Sequence, residues 1–333
     1  MAKILILGGA GYIGTVLSSH FLNKNHEVVL IDNFIYENKF SIINQTKNSN
    51  CSIIEGDFSD KKLLDKASIN VDHVLILAGL VGDPITKKYP KTSYTINDLS
   101  IKRCIDYFDN KTIKKLVFIS TCSNYGLIPD GQYADEEYKL KPLSLYAKAK
   151  VSNEKYLLNK KGEVNYSGVI LRFATAFGLS PRMRFDLTVS EFTRDLYFGK
   201  KLVVFDEYTW RPYCHVIDFA RLIEIVLNAD KNKVDFEVFN SGGDKNNFTK
   251  KMIVDCIASK IKGAKIQFNQ KDSDPRNYKV DFNKVKTKLG FIPEKSIEDG
   301  IDELINALNH GFYKDSTNDI EKYGNYKLKY SLE

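Results

Sequence analysis

The stretch that most constrains this chain is KILILGGAGYIG, residues 3–14. Its apolar letters ILIL form a near-continuous run, which predicts a strand buried on both faces of a parallel sheet. Gly8, Gly11 and Gly14 follow at three-residue spacing. Glycines placed in this way allow a tight turn, a close approach of the backbone to a pyrophosphate, and close packing of the next helix on the strand. The stretch therefore predicts a dinucleotide-phosphate site at a helix N-terminus, although a glycine triplet alone also ends many ordinary strands.

A carboxylate follows the second apolar run. A helical pattern that includes Tyr12 and Ile13 leads to a run over residues 28–31, and Asp32 comes eighteen positions after Gly14. A carboxylate at this place accepts hydrogen bonds from the hydroxyls of an adenosine ribose and repels a 2′-phosphate. The pattern therefore predicts NAD, rather than NADP, as the cofactor.

Apolar runs alternate with helical patterns along the first half of the chain. The strand-like runs are 4–7, 28–31, 52–55, 74–78, 115–119 and 168–173. This alternation predicts an α/β fold with a Rossmann-like, doubly wound parallel sheet. We expect residues 1–175 to form the NAD-binding domain. Residues 176–333 should form mainly a smaller α+β substrate-binding lobe, with some segments returning to the first domain. The elements predicted there are helices near 188–198, 217–228, 249–261 and 296–309 and a strand at 202–205.

Composition excludes several classes of protein. The chain has 49 basic and 42 acidic residues, a net charge of +7, but the two signs are interleaved, which disfavours nucleic-acid binding and suits an anionic small substrate. Its 5 cysteines include no C-x-x-C pair, so neither a disulfide framework nor a metal site is indicated. No signal peptide and no apolar run of about 18 residues is present. We therefore expect a cytoplasmic location and no membrane partner.

Two further strand ends carry candidate cofactor contacts. Asp57 and Phe58 follow the third strand, where a carboxylate and a ring can flank an adenine. Equally, Asp57 can cap a helix that starts near Ser59. Ala78 and Gly79 follow the fourth strand, where small residues let a cofactor lie across the strand end.

Catalytic candidates follow the fifth strand. Thr121 ends that strand, and a later helical pattern carries Tyr146 and Lys150 one turn apart on the same face. A phenol titrates near pH 10, so it acts as a base at neutrality only beside a cation. With Lys150 and a positive nicotinamide ring nearby, Tyr146 can take a hydroxyl proton while Thr121 hydrogen-bonds the oxygen. The Y-x-x-x-K spacing alone is common on surface helices. Asn97, in a helical pattern over 95–107, is predicted to face the same site unless it faces solvent.

The chain resembles the extended short-chain dehydrogenase/reductases of the nucleotide-sugar epimerase/dehydratase family over roughly residues 3–300. The resemblance rests on Asp32 and on the segments GGAGYIG, GDF, LAG, STCSNYG, YAKAK, LRFATAFG and RPYCHV. It implies cofactor contacts by Gly8, Gly11, Tyr12, Ile13 and Gly14 (pyrophosphate), Asp32 (ribose), Asp57 and Phe58 (adenine), Ala78 and Gly79, and Phe173 (nicotinamide). It also implies that Arg211 and Arg276 bind the diphosphate of the substrate.

The chain also departs from parts of this family. Dehydratases carry Asp-Glu directly after the catalytic Thr, where this chain has Cys122 and Ser123. The 3,5-epimerising members and GDP-fucose synthases place a cysteine at the position of Ser123, so we expect Cys122 to be a small packed residue. The segments LVGDP and SPRMRFDL resemble those of bacterial capsule-pathway members, including GDP-heptose 4-dehydrogenases. They place Arg182 and Arg184 near the presumed sugar pocket, unless both are interface arginines.

The resemblance implies an NAD-dependent enzyme that oxidises C4 of a nucleoside-diphosphate sugar without dehydration. Such an enzyme is a 4-dehydrogenase or a 4-epimerase, here expected in bacterial surface-polysaccharide biosynthesis. A homodimer through the helices around 95–109 and 145–158 is also expected. Two alternatives are a 4,6-dehydratase or 3,5-epimerase of the same family and a redox-silent NAD-binding regulator. The regulator needs no Tyr–Lys pair, so the intact pair argues against it.

Overall fold

A computed structural model describes residues 1–270 and 277–333. Its strands are β1 (Lys3–Leu7), β2 (Glu27–Asp32), β3 (Cys51–Glu55), β4 (His73–Ile76), β5 (Lys115–Thr121), β6 (Ser167–Phe173), β7 (Thr175–Phe177), β8 (Leu202–Phe205), β9 (Trp210–His215), β10 (Glu237–Ser241), β11 (Asn247–Thr249) and β12 (Ile266–Asn269). Its helices are α1 (Tyr12–Asn23), α2 (Lys61–Ala67), α3 (Asp83–Lys88), α4 (Pro90–Tyr94), α5 (Ile101–Phe108), α6 (Leu145–Leu158), α7 (Thr188–Tyr197), α8 (Val216–Asn228), α9 (Lys231–Val234), α10 (Lys250–Lys260), α11 (Asn283–Leu289) and α12 (Ile297–Asn309). A π-helical segment, Thr95–Ser100, joins α4 to α5.

The main sheet has seven strands in the order β10-β6-β5-β4-β1-β2-β3, and every neighbouring pair is parallel. The six strands predicted for the first half of the chain are all present, with ends shifted by at most two residues. The predicted Rossmann-like α/β fold is therefore confirmed. Helices cover both faces of the sheet, so its strands can be apolar on both sides.

Successive residues of β1 enter two different core layers. Ile4 and Ile6 pack in the layer that includes α1 and α8, whereas Leu5 and Leu7 pack in the layer that includes α5. This follows from the alternation of side chains along a strand. All four side chains are fully buried, which accounts for the unbroken apolar run in the sequence.

Two glycines of the loop between β1 and α1 are needed for steric reasons. Gly8 has a φ of +85°, and a Cβ at this position would lie 2.7 Å from the Ala78 backbone. A Cβ on Gly14 would lie 2.6 Å from the carbonyl oxygen of Gly8. These close approaches bring the N-terminus of α1 to the carboxyl ends of β1 and β4.

A smaller lobe follows the main sheet and holds the sheets β11-β9-β7 and β12-β8. Helices α7, α10 and α12 pack around them, and the predicted elements near 188–198, 202–205, 249–261 and 296–309 are present. In contrast, α8 packs on α1 and β10 joins the main sheet, so residues 216–241 return to the part of the structure built around the main sheet. The division between residues 175 and 176 stays a prediction. Within the described residues, no helix is long and apolar enough to cross a membrane.

The last residues of the chain run back over the main sheet, which no sequence pattern had predicted. The Lys329 N–H donates to the carbonyl of Ile35 at 2.8 Å. The Leu332 N–H donates to Thr92 Oγ1 at 2.7 Å. Leu328 is buried in a small apolar cluster that includes Ile35. The C-terminus is therefore packed against the mouth of the cleft described next.

Candidate active site

A cleft of about 420 Å³ opens at the carboxyl ends of β1, β4 and β5 and is closed on its other side by the smaller lobe. Ligands of open α/β sheets bind at this edge. The lining brings together most residues that the sequence predicts for cofactor and catalysis. They are Gly8, Gly11, Tyr12, Ile13, Gly14, Asp32, Phe58, Ala78, Gly79, Thr121, Tyr146, Lys150, Phe173, Arg182, Arg184 and Arg211. Their individual roles stay predictions.

Asp32 is held at the carboxyl end of β2 by two backbone donors. The N–H of Ala10 and the N–H of Phe34 donate to its two carboxylate oxygens at 2.9 and 2.8 Å. Burial raises the pKa of Asp32, while these donors and Arg182 act in the opposite direction. The carboxylate is thereby fixed beside the glycine loop, where an adenosine ribose is expected.

Asp57 does not line the cleft. Its side chain is exposed, and one oxygen accepts hydrogen bonds from the Ser59 N–H and hydroxyl, both at 2.8 Å. Helix α2 begins at Lys61, and Asp60 is its N-cap. The capping alternative is therefore wrong, because Asp57 closes its own turn and Asp60 caps α2. The adenine contact of Asp57 stays a prediction. Of the predicted adenine pair, Phe58 lies in the lining.

Asn97 was predicted to face the active site unless it faces solvent, and the solvent alternative is wrong because the residue is 2% exposed. A direct cofactor contact by Asn97 stays a prediction. Its Oδ1 accepts from the Leu80 N–H at 2.7 Å, and its Nδ2 donates to the Leu80 carbonyl at 2.9 Å and to Ser93 Oγ at 3.2 Å. Both ends of the amide are bound to protein, and the side chain is buried. Asn97 sits in the π-helical segment and shapes the loop after β4, which includes Gly79.

Lys150 lies close to Tyr146, the predicted base. Its ammonium donates to the carbonyl of Ile119 at 2.6 Å and lies 4.6 Å from the ring centroid of Phe118. It is 5.7 Å from the ring centroid of Tyr146. Burial lowers the pKa of Lys150 to about 7, against the opposing effect of Glu154 one helical turn away. The buried ammonium of Lys150 therefore loses its proton more readily than that of an exposed lysine.

The pKa of Tyr146 is raised above its ordinary value of 10, mainly by burial. Arg184 opposes this rise, while Asp83 and Tyr278 add to it. Burial therefore favours the neutral phenol of Tyr146 over the phenolate.

The turn after β5 places three residues in different surroundings. Thr121 Oγ1 accepts from the Ser123 N–H at 3.1 Å and lines the cleft. Cys122 is buried, its thiol donates to the carbonyl of Arg172 at 3.1 Å, and burial raises the thiol pKa. The Ser123 hydroxyl lies 3.1 Å from the hydroxyl of Tyr278. Cys122 is thus a packed residue, as predicted, and lies outside the cleft lining.

Arg184 lies inside the cleft with its charge already paired. Its Nε and Nη2 donate to the two oxygens of Asp186 at 3.0 and 2.5 Å. Its Nη2 also lies 3.5 Å from the carbonyl of Val81, next to the loop after β4. Arg184 also lowers the pKa of Tyr146, against the larger effect of burial.

The other arginines lie on different walls. The guanidinium of Arg211 stacks 5.1 Å from the ring centroid of Tyr278, beside the turn after β5. The guanidinium of Arg182 lies 5.0 Å from the ring centroid of Tyr36, in the loop after β2. Arg276 lies outside the described residues.

A buried network next to the predicted catalytic residues was missed by the sequence analysis. Arg172 donates to the Glu154 carboxylate through Nε at 3.2 and 3.1 Å and through Nη2 at 2.8 Å. Asn124 donates to the same carboxylate at 2.8 Å, and so does the hydroxyl of Ser120. Arg172 Nη1 donates to Tyr125 OH at 2.9 Å. One signal was available, because Arg172 is a charge within an otherwise apolar buried strand.

Comparison with known proteins identifies the family. The model of the NAD dependent epimerase/dehydratase family matches residues 4–242. The chain belongs to this family. It is 30% identical over 321 residues to the uncharacterized UDP-glucose epimerase YtcB of Bacillus subtilis, across 92% of this chain and 98% of that protein. It is 24% identical to a UDP-glucose 4-epimerase of Corynebacterium glutamicum, across 88% of this chain and 91% of that one.

Solved structures of similar proteins carry the same fold. A UDP-glucuronic acid 4-epimerase of Bacillus cereus, in complex with UDP-glucuronic acid and NAD, has a TM-score of 0.81 at 26% identity, covering 93% of this chain and 100% of that one. A dTDP-glucose 4,6-dehydratase of Bacillus anthracis with NAD has a TM-score of 0.80 at 23% identity, covering 94% and 99%. Membership of the family confirms the resemblance predicted from sequence and makes the chain an NAD-dependent enzyme. The glycine loop and Asp32 fit that cofactor.

Proposed function

We propose that this enzyme oxidises C4 of a nucleoside-diphosphate sugar without eliminating water, as a 4-epimerase or a 4-dehydrogenase. One observation carries the proposal. Thr121, Tyr146 and Lys150 meet in the cleft, whereas the next two positions after Thr121 hold neither a carboxylic acid nor an exposed thiol. Similar proteins that are named or described as nucleotide-sugar 4-epimerases support the substrate class.

In this proposal, three residues of the chain act on the proton of the C4 hydroxyl. Bound NAD supplies the hydride acceptor and a positively charged ring. Tyr146 is the general base for the C4 hydroxyl, and Thr121 hydrogen-bonds the same oxygen. Lys150, with its pKa near 7, stabilises the phenolate from beneath and can pass the proton onward. Burial raises the pKa of Tyr146. The phenolate that acts as the base therefore forms only when the cleft also holds positive charge.

Dehydration needs an acid for the C6 hydroxyl and a base for C5 in addition. The Cys122 thiol is bonded to a backbone carbonyl and has a raised pKa, and the Ser123 hydroxyl is a far weaker acid than a carboxyl. Loss of one such group typically costs about 10²–10⁴ in rate. These surroundings favour oxidation without loss of water over the 4,6-dehydratase alternative.

Other expectations also stay proposals. Arg211, beside Tyr278 and Ser123, is the candidate for the substrate diphosphate, and Arg184 with Asp186 is the candidate for the sugar. A homodimer through the helices around 95–109 and 145–158, a cytoplasmic location and a role in bacterial surface-polysaccharide biosynthesis are supported by the resemblance alone.

The test is incubation of the purified protein with NAD and a panel of UDP- and GDP-sugars. The absorbance of reduced nicotinamide and the product mass are followed together. A rise in reduced nicotinamide with loss of two hydrogens identifies a 4-dehydrogenase, whereas an unchanged mass with a new C4 stereoisomer identifies a 4-epimerase. A product lighter by one water contradicts the proposal. The control is the Tyr146→Phe variant. Product formed equally by this variant would come from a contaminating enzyme.

A further inference from the structure

The segment before Arg182 is tied to the first turn of α1. Ser180 Oγ donates to the carbonyl of Tyr12 at 2.7 Å, and Tyr12 OH donates to the carbonyl of Gly178 at 2.6 Å. The Arg182 N–H donates to Ser180 Oγ at 3.3 Å. These hydrogen bonds place Arg182, a residue of the smaller lobe, beside the helix N-terminus that follows the glycine loop.

The guanidinium of Arg182 is almost wholly enclosed and yet incompletely bonded. Arg182 is 6% exposed, and its Nη2 donates to the carbonyl of Gly324 at 2.9 Å. Its Nη1 is also buried but has no hydrogen-bond partner anywhere in residues 1–270 and 277–333. Buried donors are nearly always satisfied in folded proteins, so an unsatisfied one in the lining of a cleft points to a ligand.

The neighbouring charges show what kind of ligand fits. Asp186 is already paired with Arg184, and both oxygens of Asp32 accept backbone N–H groups. Burial and the nearby Arg184 lower the pKa of Arg182 to about 10, because both disfavour its positive charge. An anion bound at Nη1 would relieve both effects. A planar guanidinium is well suited to a phosphate.

We propose that Arg182 binds the diphosphate of NAD. The first N–H groups of α1 have no partner within the helix and favour negative charge at the same place. Arg211 lies instead beside Tyr278 and Ser123, near the turn after β5, so the two diphosphates of the reaction would have separate arginines. The assignment moves Arg182 from the sugar pocket, where the sequence placed it, to the cofactor. It rests on NAD as the cofactor and is independent of which sugar is oxidised.

The same guanidinium also holds the end of the chain. We call residues 324–332 the C-terminal strap. Beyond the bond from Arg182 to Gly324, Asn325 Nδ2 donates to the carbonyl of Val81 at 2.8 Å, and Lys329 donates to Ile35 as described. Asn325 lines the cleft itself. The strap therefore orients one edge of the Arg182 fork and leaves the other for the cofactor.

The test is the binding of four ligands, NAD, ADP-ribose, adenosine and UDP, measured by calorimetry on the whole chain freed of retained nucleotide. Arg182→Met should weaken NAD and ADP-ribose about ten- to a hundredfold, the range expected for a lost charge-assisted hydrogen bond. Adenosine, which has no phosphate, should bind unchanged. UDP should also bind unchanged. The matched control is Arg211→Met, which should weaken UDP and leave NAD within about twofold, a change of less than 0.5 kcal/mol.

Two outcomes would overturn the assignment. If Arg182→Met weakens UDP and not NAD, Arg182 belongs to the substrate. If NAD, ADP-ribose and adenosine weaken equally, Arg182 only maintains the shape of the cleft. Arg182→Lys keeps the positive charge but lacks the planar guanidinium. If the Met variant does not fold, the same ligands are compared on the Lys variant. None of these readouts depends on turnover, so failure of the proposed C4 oxidation would leave them unaffected.

Discussion

Glu154→Gln is the substitution whose effect follows most directly from the structure. Glu154 is 1% exposed and Arg172 is 4% exposed, and the two form a charged pair in the core. The same carboxylate accepts from Ser120, in β5 next to the proposed catalytic Thr121, and from Asn124 in the turn that follows. The substitution keeps the size of the side chain, but it removes the charge and replaces one of two acceptor oxygens with an NH2 donor. It leaves the guanidinium of Arg172 buried with no opposite charge bonded to it.

Breaking such a buried pair from one side typically costs about 3–5 kcal/mol. An unfolding entropy of about 2.1 cal/mol/K per residue, over 333 residues, corresponds to ~0.7 kcal/mol/K. The Tm should therefore fall by about 4–7 °C. Activity should fall as well, because the turn after β5 and the helix carrying Lys150 lose their common anchor.

The assay is differential scanning calorimetry with a matched exposed control. Asp302 pairs with Lys260 at 2.6 Å, and its side chain is 60% exposed. Asp302→Asn makes the same change from carboxylate to amide and should cost less than about 1 kcal/mol. The double variant Glu154→Gln/Arg172→Met should recover part of the loss, since no unpaired charge remains. Equal Tm shifts for Glu154→Gln and Asp302→Asn would refute the reasoning.

Three further predictions concern the cleft. Tyr146→Phe should bind NAD normally and lower kcat about 10²–10⁴-fold, because one titrating oxygen is lost; parental turnover would show that the base is another group. Asp32→Ser should narrow the preference for NAD over NADP in parallel binding titrations, and equal affinities in the parent would contradict the role of Asp32. Burial lowers the pKa of Lys150 from 10.5 to about 7. Between pH 7 and 10.5 the unfolded chain therefore binds more protons at this residue than the folded chain does. The contribution of Lys150 to the free energy of unfolding then rises with pH. Lys150→Met should remove that rise in Tm of the cofactor-free protein between pH 7 and 9, and an identical pH dependence in both proteins would count against a buried Lys150.

Local patterns in the sequence determined the framework. The apolar runs predicted six parallel strands, since both faces of such a sheet are covered and most side chains along its strands are apolar. The glycine spacing predicted the phosphate loop, because steric demands act on residues a few positions apart, as between Gly8 and Gly14. The turn from Tyr146 to Lys150 is likewise a local relation within α6.

Tertiary structure decided every relation whose partner lies far along the chain. Asn97 is bound to Leu80, 17 positions away, and this bond directs its side chain to the loop after β4. Arg182 reaches Gly324, 142 positions away, so its guanidinium is held by the C-terminal strap. Residues 216–241 return to the main sheet although they follow the start of the smaller lobe. Spacing reports which residues share a face, whereas the direction of a side chain depends on hydrogen-bond partners that only the folded chain brings together.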